Sequence, residues 1–224
     1  MSEEKKFTSI QYDSYLKLNQ LLSAQNMRSQ ELGVPAHDEM LFIIVHQVYE
    51  LWFKEIIHDL GSVKQMFDQN MVDERNLGVA VNRLNRIIEI QKLLLEQIRV
   101  METMTPLDFL DFRNYLFPAS GFQSFQFRVI ETMLGLPEQQ RMTYNNQHYA
   151  SVFSNEEQDV LKKMEQDGSM LQAVSRWLER TPFLQFGDFN FIHEYKKAVQ
   201  KMIQSEQAAI LRSPYLEETA KEMR

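Results

Sequence analysis

The sequence has no cysteine at all. Disulfides, thiolate nucleophiles, Cys-based zinc sites, iron–sulfur clusters and a CxxCH haem attachment are therefore excluded. Seven glycines and six prolines in 224 residues make up about 6% of the chain, half the usual share. So little turn chemistry argues against a β sandwich or a glycine-lined nucleotide fold. No apolar run reaches the roughly 18 residues of a membrane span, and the charged start Met-Ser-Glu-Glu-Lys-Lys leads into no apolar segment of a secretory signal. The net charge of −7 speaks against nucleic acid as the main partner. A chain of this length can bury a sizeable core, about 70% of its unfolded surface, without covalent staples.

Helical periodicity fills what remains. Residues 9–25 space Ile10, Leu16, Leu18, Leu21 and Leu22 among polar residues, and Gly33 and Pro35 mark a loop over 26–36. Asp38 is a candidate cap for a helix over 38–68. Between Met40 and Phe53 every residue of that helix is apolar except His46, Gln47 and Glu50, a pattern that belongs in a core. Asp73 and Glu74 open a helix to about 103. Thr105-Pro106 reads as an N-cap and first-turn proline, and Pro118 stops that short helix. A helix over about 121–134 ends at Gly135. Ser154 and Glu157 have capping-box spacing, and Asp167-Gly168 and Thr181-Pro182 punctuate two more helices. A loop over 183–189 leads to a helix near 191–212, and Ser213-Pro214 starts a last one. The expectation is an all-α fold, a single helical-bundle domain over 1–224.

Few side chains stand out against this background. His46 lies four residues after Phe42 and four before Glu50, close to one helical face. On an apolar helix it sits in dry surroundings, where an imidazole serves as base, hydrogen-bond acceptor or metal ligand. Alternatively 46, 50, 54 and 58 are the solvent stripe, with Glu50 paired to Lys54. Arg113, among Phe109 and Phe112, suits carboxylate capture through its planar fork, or else pairs with Asp108 or Asp111. Pro118-Ala-Ser-Gly-Phe-Gln123 exposes backbone N–H groups at a helix start, or is an ordinary turn. Glu55-Ile-Ile-His58 has the spacing of di-iron bundles, but no second such motif exists. His37, His148 and His193 fall at loops or helix ends and read as surface residues, and the 13 methionines read as core filler.

Longer stretches carry a resemblance. Tyr12-Asp-Ser-Tyr-Leu16 and Leu22-Ser-Ala-Gln25 come first, then His37-Asp-Glu-Met-Leu-Phe-Ile-Ile-Val-His-Gln-Val-Tyr-Glu-Leu-Trp-Phe-Lys54. Thr103-Met-Thr-Pro-Leu-Asp-Phe-Leu-Asp-Phe-Arg113, Pro118-Ala-Ser-Gly-Phe-Gln-Ser-Phe-Gln-Phe-Arg128 and Trp177-Leu-Glu-Arg-Thr-Pro182 follow. Over residues 9–191 the chain resembles the tryptophan 2,3-dioxygenases, particularly the animal-type members. The resemblance implies a cytosolic (cytoplasmic) homotetramer with non-covalent haem b. Its reaction inserts both atoms of O2 across the indole C2=C3 bond of L-tryptophan to give N-formyl-L-kynurenine, the first step of tryptophan catabolism by the kynurenine pathway. His46 matches the histidine that accepts the indole N–H, and Arg113 the arginine that holds the substrate carboxylate. Phe42 and Phe109 match pocket walls, and Ile43, Ile44 and Val45 fall in the same substrate-binding stretch. Ser120 matches a serine of the distal haem environment, and Tyr12 and Tyr15 match tyrosines that reach a neighbouring subunit's pocket.

The same resemblance places the proximal haem histidine and a glycine- and threonine-rich closing loop beyond Arg224, with residues 192–224 in a helical insertion. His193 does not carry the proximal motif. The expectation is therefore the distal half of a haem pocket, truncated at the C-terminus and with no metal ligand of its own. A catalytically inactive homologue that binds tryptophan or assembles oligomers is the alternative. Without covering helices, the segment 40–53 would leave a hydrophobic patch in solvent.

Overall fold

The computed structural model describes residues 9–69, 72, 74–143, 148–180, 185–186 and 188–212. The expected helix starts at Asp73 and Ser213-Pro214 and the expected break at Thr181-Pro182 lie outside the described residues. The fold is all-α, as expected from the periodicity. In chain order the helices are α1 (Tyr12–Leu16), α2 (Leu18–Leu21), α3 (Arg28–Glu31), α4 (Glu39–Phe67), α5 (Glu74–Met101), α6 (Pro106–Leu116), α7 (Phe125–Leu134), α8 (Asn155–Gln166), α9 (Met170–Arg180) and α10 (Phe191–Arg212). The chain divides into two compact units, Met1–Ala173 and Val174–Arg224.

The long helices α4 and α5 organise the first unit. Tyr49 donates to the Leu94 carbonyl and Asp59 faces Arg86, so α5 runs back along α4. Ile56 and Leu60 of α4, Ile87, Ile90 and Leu94 of α5, and Val129, Ile130 and Met133 of α7 form the centre of the core. Tyr149, Ala150, Phe153 and the α8 residue Leu161 complete it. Each fully buried large aliphatic side chain contributes about 1.5–3 kcal/mol. Several buried charges of this unit are paired. Asp59, 2% exposed, lies 3.2 Å from Arg86 and 4.0 Å from Arg83, and Arg128 lies 2.8 Å from Glu131. Buried Tyr149 donates to Glu165 (2.7 Å) beneath the Arg141 guanidinium, 4.4 Å from its ring centre.

The helix ends follow the capping logic of the sequence. Thr105 and Asp108 close a capping box on α6, and Ser154 and Glu157 close one on α8. Gly135 ends α7 at φ 93°, with its N–H donating to the carbonyls of Glu131 and Thr132. Asp38 takes the N-cap place of α4 but makes no capping bond. The next residue does the polar work: buried Glu39 accepts the backbone N–H groups of Arg28 (2.7 Å) and Ser29 (2.9 Å), fixing α3 against the start of α4.

Three expectations need correction. The helix expected over 9–25 is two short pieces, broken at Lys17, which adopts φ 54° in the left-handed region. Neither piece contains a buried residue, so tertiary packing does not sustain a longer helix. The helix expected over 121–134 starts as a 3₁₀ turn, Gly121–Gln123, and α7 proper begins at Phe125 because Ser124 caps it. The apolar segment 40–53 is only the edge of the core, where Tyr49, Trp52 and Phe53 pack against it half-buried. None of its residues is fully buried, and Ile44 and Leu51 are 43% and 49% exposed. The buried positions of α4 are Glu39 and then Ile56 to Phe67, where α5 and α7 enclose it.

In the second unit, Gln185–Phe186 (β1) and Phe189–Asn190 (β2) pair antiparallel inside the expected 183–189 loop region. The Asn190 side chain accepts the His193 N–H (2.9 Å) at the start of α10, and Phe191 stacks on Tyr195.

Two outcomes follow from the first unit's packing. A Cβ on Gly135 would meet Ser169 Oγ at 2.6 Å and its Cβ at 2.9 Å, in a backbone conformation unfavourable to L side chains. Gly135→Ala should therefore destabilise the protein by about 1–3 kcal/mol in denaturant unfolding. Burial first, then the bond to Glu165, pushes the Tyr149 hydroxyl up to about 12, while Arg141 pulls it down. Its stabilising contribution is complete below the ordinary tyrosine value of 10.0 and is lost as pH rises from 10 to 12. Tyr149→Phe should flatten that part of the alkaline stability profile.

Candidate functional site

The N-terminal half of α4, the end of α6 and the segment leading to α7 enclose an open hollow of about 390 Å³. Phe42, Ile43, His46, Gln47 and Glu50 line it from α4, and Leu116, Ala119, Ser120, Gly121, Gln123 and Ser124 line it from the other side. Aromatic rings of α6 back Phe42. Phe112, fully buried on α6, meets Phe42 edge-on at 5.5 Å, and Phe109 stacks on Phe42 at 5.7 Å. The α6 capping box thus positions the aromatic face that abuts α4.

His46 packs on Phe42, with ring centres 4.1 Å apart, and its Nδ1 lies 2.7 Å from the Phe42 carbonyl oxygen. A carbonyl oxygen only accepts, so Nδ1 carries the proton. In the neutral ring, Nε2 is then left as an acceptor. The surroundings are not dry, however: His46, Lys54 and His58 are exposed and Glu50 is half-buried. In burial this is the stripe alternative, because the hollow beside His46 opens to solvent. Glu50 does not pair with Lys54 among the described residues. It instead accepts the Ser124 hydroxyl (2.6 Å) and the Gln126 amide (2.8 Å).

Arg113 is exposed and does not line the hollow. Its guanidinium carbon lies 5.7 Å from the centre of the Phe109 ring, a cation–π distance. The series His46, Phe42, Phe109, Arg113 is therefore continuous in space. Among the described residues Arg113 forms no ion pair with Asp108 or Asp111, and the Asp108 carboxylate is taken by the Thr105 N–H and hydroxyl. The other expected site residues scatter. Ser120 faces the hollow, and its Oγ accepts the Phe122 N–H (3.3 Å). Ile44 lines two separate depressions on the other side of α4, beside His37 and beside Leu21. Val45 lines none of these cavities, and Tyr12 and Tyr15 are 75% and 70% exposed.

Among the described residues no three His, Asp or Glu side chains cluster as a metal site. His37, His148 and His193 are exposed, as expected. Among the described residues no helix is long and apolar enough to cross a membrane.

Comparison with known proteins gives the family. A family profile described as Tryptophan 2,3-dioxygenase matches residues 2–224. The chain belongs to this family. It is 50% identical over 218 residues to a tryptophan 2,3-dioxygenase of Bdellovibrio bacteriovorus, covering 96% of this chain and 61% of that protein. It is 50% identical over 197 residues to that of Dictyostelium discoideum, covering 88% and 49%, and 44% identical over 210 residues to that of Alteromonas mediterranea, covering 94% and 58%. The chain therefore spans about half to three-fifths of the length of the curated tryptophan 2,3-dioxygenases it matches.

Of the wall opposite His46, sequence reasoning singled out the 118–123 segment for its backbone N–H groups and gave Ser120 a role, but it missed Leu116 and Ser124. Glu50 was visible as a break in an apolar helix, but its partners lie more than 70 residues away, beyond any local signal.

The cap of α6 gives a pH test of the site's scaffold. Hydrogen bonds from the Thr105 side chain and then its backbone hold the Asp108 carboxyl below the ordinary 3.8, against a small opposing effect of burial. The cap's stabilisation is present above pH 3.8 and is lost as pH falls through the lowered folded value. Amide exchange at Asp108 should stay protected at neutral pH and open only in acid. Asp108→Asn should weaken that protection already at neutral pH.

Proposed function

We propose that the chain supplies the substrate-facing half of a tryptophan 2,3-dioxygenase site, acting on L-tryptophan with O2 to give N-formyl-L-kynurenine in tryptophan breakdown. The observation that carries this reading is the continuous series His46, Phe42, Phe109 and Arg113 beside an open hollow. It sets an acceptor nitrogen, an apolar aromatic wall and a cation in the order in which a tryptophan offers its indole N–H, its ring and its carboxylate. On this reading His46 Nε2 accepts the indole N–H and fixes the ring's orientation, while Phe42 and Phe109 exclude water from its face. Arg113 recognises the carboxylate. No strong acid is needed, because the electron-rich ring carbons react without prior protonation.

Haem b, the cofactor the family implies, supplies the activation of O2 when bound. The residues present fit one face of such a flat, largely apolar group. Leu116 and Ala119 are apolar, and a Cβ added at Gly121 would meet nothing within 4 Å. Those residues and Ser120 would face it. Tyr12 and Tyr15, exposed and not among the residues lining the hollow, act on this reading in a neighbouring copy's site.

The test is a comparison of two ligands. Arg113→Ala should weaken capture of L-tryptophan by on the order of tenfold or more, the worth of a charge-assisted hydrogen bond, and leave capture of indole nearly unchanged. Equal losses for both would remove Arg113 from the carboxylate role. Formation of N-formylkynurenine by the haem-supplemented protein, followed by absorbance, separates the dioxygenase from a binding protein.

A further inference from the structure

Glu50 stands one turn beyond His46 and lines the same hollow. Its two carboxylate oxygens serve different donors from the opposite wall. Oε1 accepts the Ser124 hydroxyl at 2.6 Å and Oε2 accepts the Gln126 amide at 2.8 Å, and that amide also donates to the Glu50 carbonyl at 2.8 Å. The Ser124 oxygen in turn accepts the Phe127 N–H (3.2 Å), capping α7. Just before it in the chain, the Gln123 side chain accepts the Ser120 N–H (3.1 Å) and the Gln123 N–H donates to the Ser120 carbonyl (2.9 Å). Residues 120–124 are thus a turn braced by its own hydrogen bonds and joined to α4 through one carboxylate. An ionised carboxylate is the side chain suited to this joint, because it accepts on both oxygens at once and forms stronger bonds than a neutral acceptor.

We propose that Glu50 is a positioning residue of the site: it sets the gap between His46 and the Ser120–Ser124 turn, and with it the width of the space that admits an aromatic ring. This rests on the reading of the hollow as an indole site. The consequence differs from that of Arg113. Loss of the carboxylate widens or loosens the slot for the ring itself, so capture of indole and of L-tryptophan falls together.

The experiment uses the full chain with Glu50→Ala and Glu50→Gln, reading amide exchange at Phe122, Gln123 and Ser124 with α5 amides as internal reference, and capture of indole and of L-tryptophan. Glu50→Ala should raise exchange in the turn and weaken both ligands by about tenfold, with α5 unchanged. Glu50→Gln, which retains one acceptor for Ser124 but turns a donor toward the Gln126 amide, should recover only part of both effects. The proposal is overturned if Glu50→Ala leaves exchange in the turn unchanged, if exchange rises equally in α5, or if Glu50→Gln is no better than Glu50→Ala. If the unaltered chain captures neither ligand, the indole reading fails and so does the role assigned to the gap; the exchange data then still report whether the carboxylate holds the turn.

Discussion

Everything in the first unit depends on the packing of the C-terminal half of α4 between α5 and α7. Ile56, Leu60 and Val63 are almost completely removed from solvent there, and Asp59 among them is held by Arg83 and Arg86. A buried carboxylate without such partners would cost several kcal/mol, so the α5 arginines are a condition for this helix face to be buried. The N-terminal half of the same helix is free of that duty. It meets α6 through Phe42 and the α7 approach through Glu50, and it keeps an open flank.

That division explains why pattern reading succeeded with the fold and misjudged the helix. Periodicity and capping residues located α4, α5, α6, α8 and α10 closely, because caps such as Thr105 with Asp108 and Ser154 with Glu157 act within four residues. The run from Met40 to Phe53 looked more buried than the segment after it, yet the opposite holds. Composition reports what a helix is able to bury, and burial itself is decided by which neighbours arrive. Lys17 marks a similar limit. Its left-handed conformation breaks an otherwise periodic segment for which no packing partner makes continuation worthwhile.

The site was legible in part for the same reason. Phe42 with His46 and Phe109 with Arg113 are i,i+4 pairs, so the sequence itself places each pair on one helix face. What joins the two pairs is the stacking of Phe42 on Phe109 across helices, which no local spacing encodes. The long identities to the dioxygenase family stood in for that missing geometry. Glu50 had neither aid: its spacing to Lys54 suggested a surface pair, whereas its partners come from the N-terminal end of α7.

The polar joints of α4 share one design. Glu39, Glu50 and Asp59 are spaced along the helix, and each fixes a different element: the start of α3, the approach to α7, and α5. Each is a carboxylate satisfied by donors from elsewhere in the chain, so each specifies one placement of its partner where apolar contact alone would tolerate sliding. Two of the three sit in or beside the poorly buried half. There hydrophobic packing is too incomplete to define geometry, and directional hydrogen bonds have to supply it. An open hollow needs that kind of support, because its walls are only partly held in register by the core.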